Sequence, residues 1–148
     1  MHILLVGMGD VGCKLACALD QAGHRVSGLC RTPKSGLPPT ITLLLQSVHA
    51  ADLSALAPID GVYVILAPDQ STPAAYTQTF IDSLPPLVAA LAGHPVQRVI
   101  FVSSTSVYGE NAGEWVDEST PVSPTGFNGQ LLWQAEQAWR QQWQARLT

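Results

Sequence analysis

The chain has 148 residues, 47% of them hydrophobic and 12% charged, which suits one domain with a substantial core and argues against disorder. Its formal net charge of -4 excludes the global basic field that draws in nucleic acid. The three cysteines, Cys13, Cys17 and Cys30, are odd in number and lack metal-type spacing, so buried, reduced side chains and a cytoplasmic location are expected.

Met1 and His2 lead straight into Ile3-Leu4-Leu5-Val6, too short for a secretory core and suited to a buried parallel strand that stops at Gly7. No stretch approaches the apolar run that a membrane span needs, so no membrane partner is expected. Val11, Leu15, Ala18, Leu19 and Ala22 recur at helical spacing, and Gly23 ends that helix. Arg25–Cys30 reads as a second strand, Thr32–Thr40 as a loop rich in Pro and Gly, and Ile41–Leu45 as a third strand. Asp52 is placed to cap a short helix that ends before Pro58. Val62–Leu66 is a fourth strand. Ser71 or Thr72 caps a helix from Pro73 towards Ala92, with a break expected at Pro85-Pro86. Arg98–Val102 is a fifth strand, Gly109–Gly126 an irregular stretch, and Asn128–Arg146 a last helix.

Strands alternating with helices predict an α/β fold with a parallel sheet and right-handed crossovers. A doubly wound Rossmann sheet, three layers deep, gives the strand order 3-2-1-4-5. The chain stops where a sixth strand would begin, so residues 1–148 are expected to be the front portion of a longer protein, one nucleotide-binding domain without its substrate portion.

Gly7-Met8-Gly9-Asp10-Val11-Gly12 follows a strand and opens a helix, the context in which a GxGxxG run signals a dinucleotide pyrophosphate. The first glycine makes the turn, the second admits the phosphates, and the third lets the helix pack on the strand. The helix N-terminus offers free N–H groups to the anion. All six residues are candidate cofactor contacts. Roughly 20 residues on, where a carboxylate would select NAD, the chain has Cys30-Arg31-Thr32 with Lys34 close by. A guanidinium suits a 2′-phosphate, so NADP is expected over NAD, with a solvated loop charge as the plainer role for Arg31. Asp52-Leu53 could sit beside the adenine and Leu66-Ala67-Pro68 along the cofactor, or each could be an ordinary strand terminus.

Val99–Val102 runs into Ser103-Ser104-Thr105-Ser106-Val107-Tyr108-Gly109, placing hydroxyls at a strand's carboxyl end, where open parallel sheets bind ligands. With Asp117-Glu118-Ser119-Thr120-Pro121, Pro124 and Ala135-Glu136, this run resembles the extended short-chain dehydrogenase/reductase family, especially its NAD-dependent epimerases and dehydratases of nucleotide sugars. The resemblance covers nearly the whole chain. It implies a small-molecule substrate, with Ser104 holding and polarising the reacting oxygen beside Ser103 and Thr105.

Two departures stand out. Val6 occupies the place of the family's usual first loop glycine, as in its looser members. In the last helix, anchoring on Pro124 and Glu136 puts Asn128 at the family's tyrosine and Leu132 at its lysine. Phe127 next door has no hydroxyl, and Tyr108 lies in another element. Asn128 can hydrogen-bond a substrate oxygen but cannot act as an acid or base near neutral pH, and leucine cannot lower a tyrosine's pKa. Two functions therefore compete: hydride exchange on a nucleotide sugar, and dinucleotide binding or sensing without chemistry. A hydroxy-acid dehydrogenase, suggested by the GxGxxG form, fits the Ser-Val-Tyr-Gly run poorly.

His2, His24, His49 and His94 are scattered and form no ligand motif, so no metal is expected. Glu110, Glu114, Asp117 and Glu118 cluster in the loop beside the expected crevice and offer a substitute base at most. Leu132, Ala135, Trp139 and Trp143 share a helical stripe with Trp133 on its flank. Core packing is the default for that stripe; a homodimer seam is the alternative, marked by exposed tryptophan.

Overall fold

Five consecutive buried residues, His2–Val6, form strand β1, and burial on both faces puts it at the centre of the sheet. It pairs in parallel with β2 (Arg25–Cys30) on one side and β4 (Gly61–Val64) on the other. β3 (Thr42–Leu45) extends the sheet beyond β2, and β5 (Arg98–Phe101) beyond β4. The order is β3-β2-β1-β4-β5, the doubly wound Rossmann arrangement expected from the sequence. The computed structural model describes residues 1–109 and 113–144.

The period-2 alternation of β1 sends its side chains to two cores. Leu4 and Val6 join Val62, Val64 and Val99 on one face, covered by Leu53, Ile59, Leu87, Leu91 and Trp139. Leu5 and Val26 face the other way, against Ala16 of helix α1 (Asp10–Gln21) and Ile41. A third, smaller cluster of Phe80, Val107, Leu132 and Ala135 lies where the segment after β5 meets the last helix.

Three expectations on local structure change. No helix starts at Asp52: a single 3-10 turn occupies Val48–Ala50 instead. The Asp52 carboxylate accepts bonds from Ser54 N (3.0 Å) and Ser54 Oγ (2.6 Å), the local turn that Asp side chains offer in competition with a helix. The helix from Pro73 does break, but before the prolines. α2 (Pro73–Tyr76), capped by Thr72 Oγ, runs into a π-helical turn at Thr77–Ile81, and the α-helix resumes as α3 (Leu84–Leu91). Pro85 and Pro86 sit in the first turn of α3, where their missing N–H groups have no helical partner to lose. β4 is shorter than expected, ending at Val64.

The last helix, α4, spans Phe127–Trp143; Arg146 lies outside the described residues. Its tryptophans serve the core. Trp139 is 1% exposed and stacks on Phe101 and Trp143, with ring centroids 6.0 and 4.9 Å away. Trp133 and Trp143 are half-buried, so the exposed tryptophan that would mark a dimer seam is not found on this helix. The fully exposed tryptophan is Trp115, in the loop before it. Among the described residues, no helix is long and apolar enough to cross a membrane.

His2 is a buried polar residue at the start of β1, and its partners account for it. Its ring Nε2 lies 2.9 Å from Ser27 Oγ, and Nδ1 lies 3.1 and 3.2 Å from the carbonyl oxygens of Ala57 and Pro58. Carbonyls only accept, so Nδ1 carries the proton and Ser27 donates to Nε2. Burial pushes the imidazole below its ordinary pKa; the two carbonyls and Asp60 oppose the shift, and Arg25 adds to it. A histidine held neutral in the fold binds a proton more readily when unfolded. Its stabilising contribution is therefore complete above the ordinary value, about 6.5, and is lost as pH falls below it towards the lowered folded value. Urea unfolding at a series of pH values should show stability falling through this window, and a flatter profile for His2→Asn.

Candidate functional site

Every strand runs the same way, so all five carboxyl ends lie along one edge of the sheet. The candidate residues gather there: Gly7–Gly12 after β1, Arg31 and Lys34 after β2, Leu66–Asp69 after β4, and Ser103–Tyr108 after β5.

The glycine loop separates into two kinds of position. Gly7 has φ 103°, and a Cβ on it would lie against the Ile65 carbonyl oxygen. A Cβ on Gly12 would lie against the Gly7 carbonyl oxygen, so this contact sets how closely α1 starts on β1. Gly9 differs: it is exposed, and a Cβ there would meet nothing within 4 Å. It is the N-cap of α1 and supplies no side-chain cap, which leaves the first N–H groups of the helix without a side-chain acceptor from it. These amides and the open space over Gly9 are what a diphosphate needs.

The neighbours divide likewise. Met8 is 2% exposed and lies over Gly28 of β2, where a Cβ would come within 2.6 Å of its Sδ. Its side chain is core, and only its backbone is left to meet a cofactor. Asp10 turns its carboxylate to Lys14, 2.9 Å away, on the helix surface. Val11 is 60% exposed, an apolar side chain left uncovered in the first turn.

Arg31 makes a bidentate pair with Asp69: Nη1 to Oδ2 at 2.7 Å and Nη2 to Oδ1 at 2.6 Å. Asp69 holds the Arg31 proton more firmly than usual, and Arg31 holds the Asp69 carboxyl below the usual carboxylate range. Lys34 instead donates to Thr32 Oγ1 of its own loop, 3.3 Å away. Asp69 directly follows Ala67-Pro68 and is not singled out by the sequence, because its partner Arg31 lies 38 residues away along the chain. Ala67 is exposed and Pro68 half-buried, while Leu66 packs between two cores. Leu53 is 1% exposed and wholly core, so its side chain presents nothing to an adenine. Asp52 is exposed beside a hollow of about 490 Å³ between residues 51–58 and the end of α3, and neither the glycine loop, Arg31 nor Ser104 lines that hollow.

The hydroxyl run after β5 forms a 3-10 turn, Thr105–Tyr108, capped by Ser104, whose Oγ accepts from Ser106 N at 3.2 Å. Ser104 and Thr105 are exposed, and the Ser104 hydroxyl proton remains to be donated outward. Ser103 Oγ and Ser106 Oγ are buried and find no hydrogen-bond partner among the described residues. Asp117 is committed to its own turn: Ser119 N, Ser119 Oγ and Thr120 Oγ1 all donate to it, which lowers its pKa. Glu114 and Glu118 are exposed, and Glu110 lies outside the described residues.

Helix α4 meets this turn through Gly129. A Cβ there would lie against the Ser106 carbonyl oxygen and 2.8 Å from Pro124 Cβ. Leu132, one turn further on, is 4% exposed and packs with Phe80 and Val107. Asn128 is half-buried, and its carboxamide oxygen folds back over the helix cap, 2.6 Å from where a Gly126 Cβ would be. None of these positions carries an amine or a phenol.

The profile of the NAD dependent epimerase/dehydratase family matches residues 3–130. The chain belongs to this family. It is 30% identical to Protein YeeZ of Escherichia coli K12 over 144 residues, 90% of this chain and 51% of that protein. It is 33% identical over 146 residues to the N-acetyl-alpha-D-glucosaminyl-diphospho-ditrans,octacis-undecaprenol 4-epimerase of Escherichia coli O157:H7, covering 95% of this chain and 43% of that one. The chain thus spans about half the length of the curated relatives it matches. Among solved structures, the UDP-glucuronic acid 4-epimerase of Bacillus cereus, in complex with UDP-glucuronic acid and NAD, superposes with a TM-score of 0.81 at 22% identity. That match covers 100% of this chain and 55% of the other.

Within this epimerase/dehydratase fold the loop glycines should separate by experiment. Gly9, at φ -78° and ψ -162°, has a backbone open to any residue, so Gly9→Val should leave thermal unfolding nearly unchanged and abolish dinucleotide binding in calorimetric titration. Gly12→Val, pressed on the Gly7 carbonyl, should destabilise by about 1–3 kcal/mol or more.

Proposed function

We propose that this chain is the cofactor-binding domain of an epimerase/dehydratase-like protein and takes NADP in preference to NAD. The open niche over Gly9, at the N-terminus of a 12-residue helix, carries the reading. The amides there would hold the pyrophosphate, Arg31 would receive the 2′-phosphate, and the backbone of Met8 with Asp10, Val11, Ala67 and Pro68 would border the cofactor. When bound, the nicotinamide would supply hydride transfer. The substrate proposed is a nucleotide sugar, in keeping with the UDP-glucuronic acid held by the Bacillus cereus epimerase. Ser104 would donate its free proton to a substrate oxygen, with Thr105 beside it.

A second reading is favoured by α4. Gly129 and Leu132 present no ammonium, and Asn128 titrates at no useful pH, so a domain that binds the dinucleotide without chemistry also fits.

Side-by-side titration with NADPH and NADH tests the cofactor. NADPH should bind more tightly, and Arg31→Ala should erase about tenfold of that preference. Equal affinities untouched by the mutation would end the NADP assignment. Cofactor absorbance with a panel of nucleotide sugars separates the two functions. Turnover in the natural protein that falls by about a hundredfold in Ser104→Ala supports the enzyme. Tight binding with no turnover in either protein supports the non-catalytic domain.

A further inference from the structure

Arg31 follows β2 and Asp69 follows the end of β4, and these are the two strands that flank β1. A pair between them therefore crosses the carboxyl end of β1, along the same edge of the sheet as the open position at Gly9. We infer that Asp69 is a specificity-determining residue: it holds the Arg31 guanidinium across the mouth of the crevice until a phosphate monoester takes it, so that NADP opens this strap and NAD leaves it closed. The inference rests on the cofactor reading above.

Both partners are about two-thirds exposed, with side-chain exposures of 65% and 66%, so the bridge is a labile surface pair that ligand binding can exchange. Its geometry is nevertheless specific. Two parallel N–H···O bonds occupy the fork of the guanidinium, the same fork that a phosphate engages. A 2′-phosphate brings up to two negative charges and three acceptor oxygens, against one charge and two oxygens on Asp69. A neutral 2′-hydroxyl brings no charge and cannot displace a carboxylate. The other cation of the loop, Lys34, donates to Thr32 Oγ1 and does not bridge to Asp69. No chemical step is involved; one ionic partner replaces another.

A double-mutant cycle in the intact chain tests this, with NADPH and NADH affinities measured by calorimetry for wild type, Asp69→Asn, Arg31→Ala and the double variant. Both residues are exposed, and thermal unfolding of each variant confirms that it is folded. Asp69→Asn should tighten NADPH by about threefold more than it tightens NADH, because Arg31 is released to the phosphate. With Arg31→Ala in place, Asp69→Asn should change both cofactors equally, since only general charge repulsion is left. Overturning results are an Asp69→Asn gain that is equal for the two cofactors in the natural background, a selective gain that persists without Arg31, or a selective loss of NADPH. Any of these alongside an intact Arg31→Ala effect removes the strap and leaves the NADP assignment standing. Equal cofactor affinities with no Arg31→Ala effect remove that assignment itself, and the strap with it.

Discussion

The start of α1 rests directly on the end of β1 because neither Gly7 nor Gly12 has a Cβ to hold them apart. A side chain at position 12 would lift the helix off the Gly7 carbonyl, and one at position 7 would strike the Ile65 carbonyl beside β4. This contact sets where the helix amides emerge. It also positions β1 relative to both neighbours, since Gly7 N donates to the Leu29 carbonyl of β2 and Ile65 N to the Val6 carbonyl of β1. The open space over Gly9 lies at that junction.

From the junction outward, the strand ends differ in what they present. The β1 end supplies bare amides, the β2 and β4 ends supply opposite charges that meet each other, and the β5 end supplies hydroxyls. Membership of the epimerase/dehydratase family fixes the scaffold on which these stand. It does not fix the chemistry, because reactivity depends on a few side chains placed on that scaffold. Here the open helix start at Gly9 and the Ser104 turn are present, whereas α4 meets the turn with a hydrogen atom.

The features legible in the sequence were those encoded by neighbours along the chain. An apolar run stopped by Gly7 marked the first strand, the alternation of strands with helices gave the 3-2-1-4-5 order, and the glycine spacing marked the turn where a Cβ is excluded at Gly7 and Gly12. What escaped were pairings between distant residues. Met8 looked like cofactor lining because it stands between two loop glycines; its burial depends on the space Gly28 leaves in another strand. Leu53 looked like an adenine contact because it follows Asp52, yet it is drawn into the core beside Ile59. The helix break preceded Pro85-Pro86 because proline is harmless in a first turn, a rule of position that residue type alone does not reveal. Asp69 was missed for the same kind of reason: a carboxylate in a loop acquires meaning only when the fold sets a guanidinium opposite it.

The hydrogen atom at Gly129 has a consequence for what this end of α4 can carry. Neither of the buried positions 129 and 132 has room for an ammonium group. At position 129 any larger residue meets the Ser106 carbonyl oxygen, and at position 132 a lysine would have to thread its charge between Phe80 and Val107. The turn and the helix are closed against each other here, and a charge placed between them would have to force them apart.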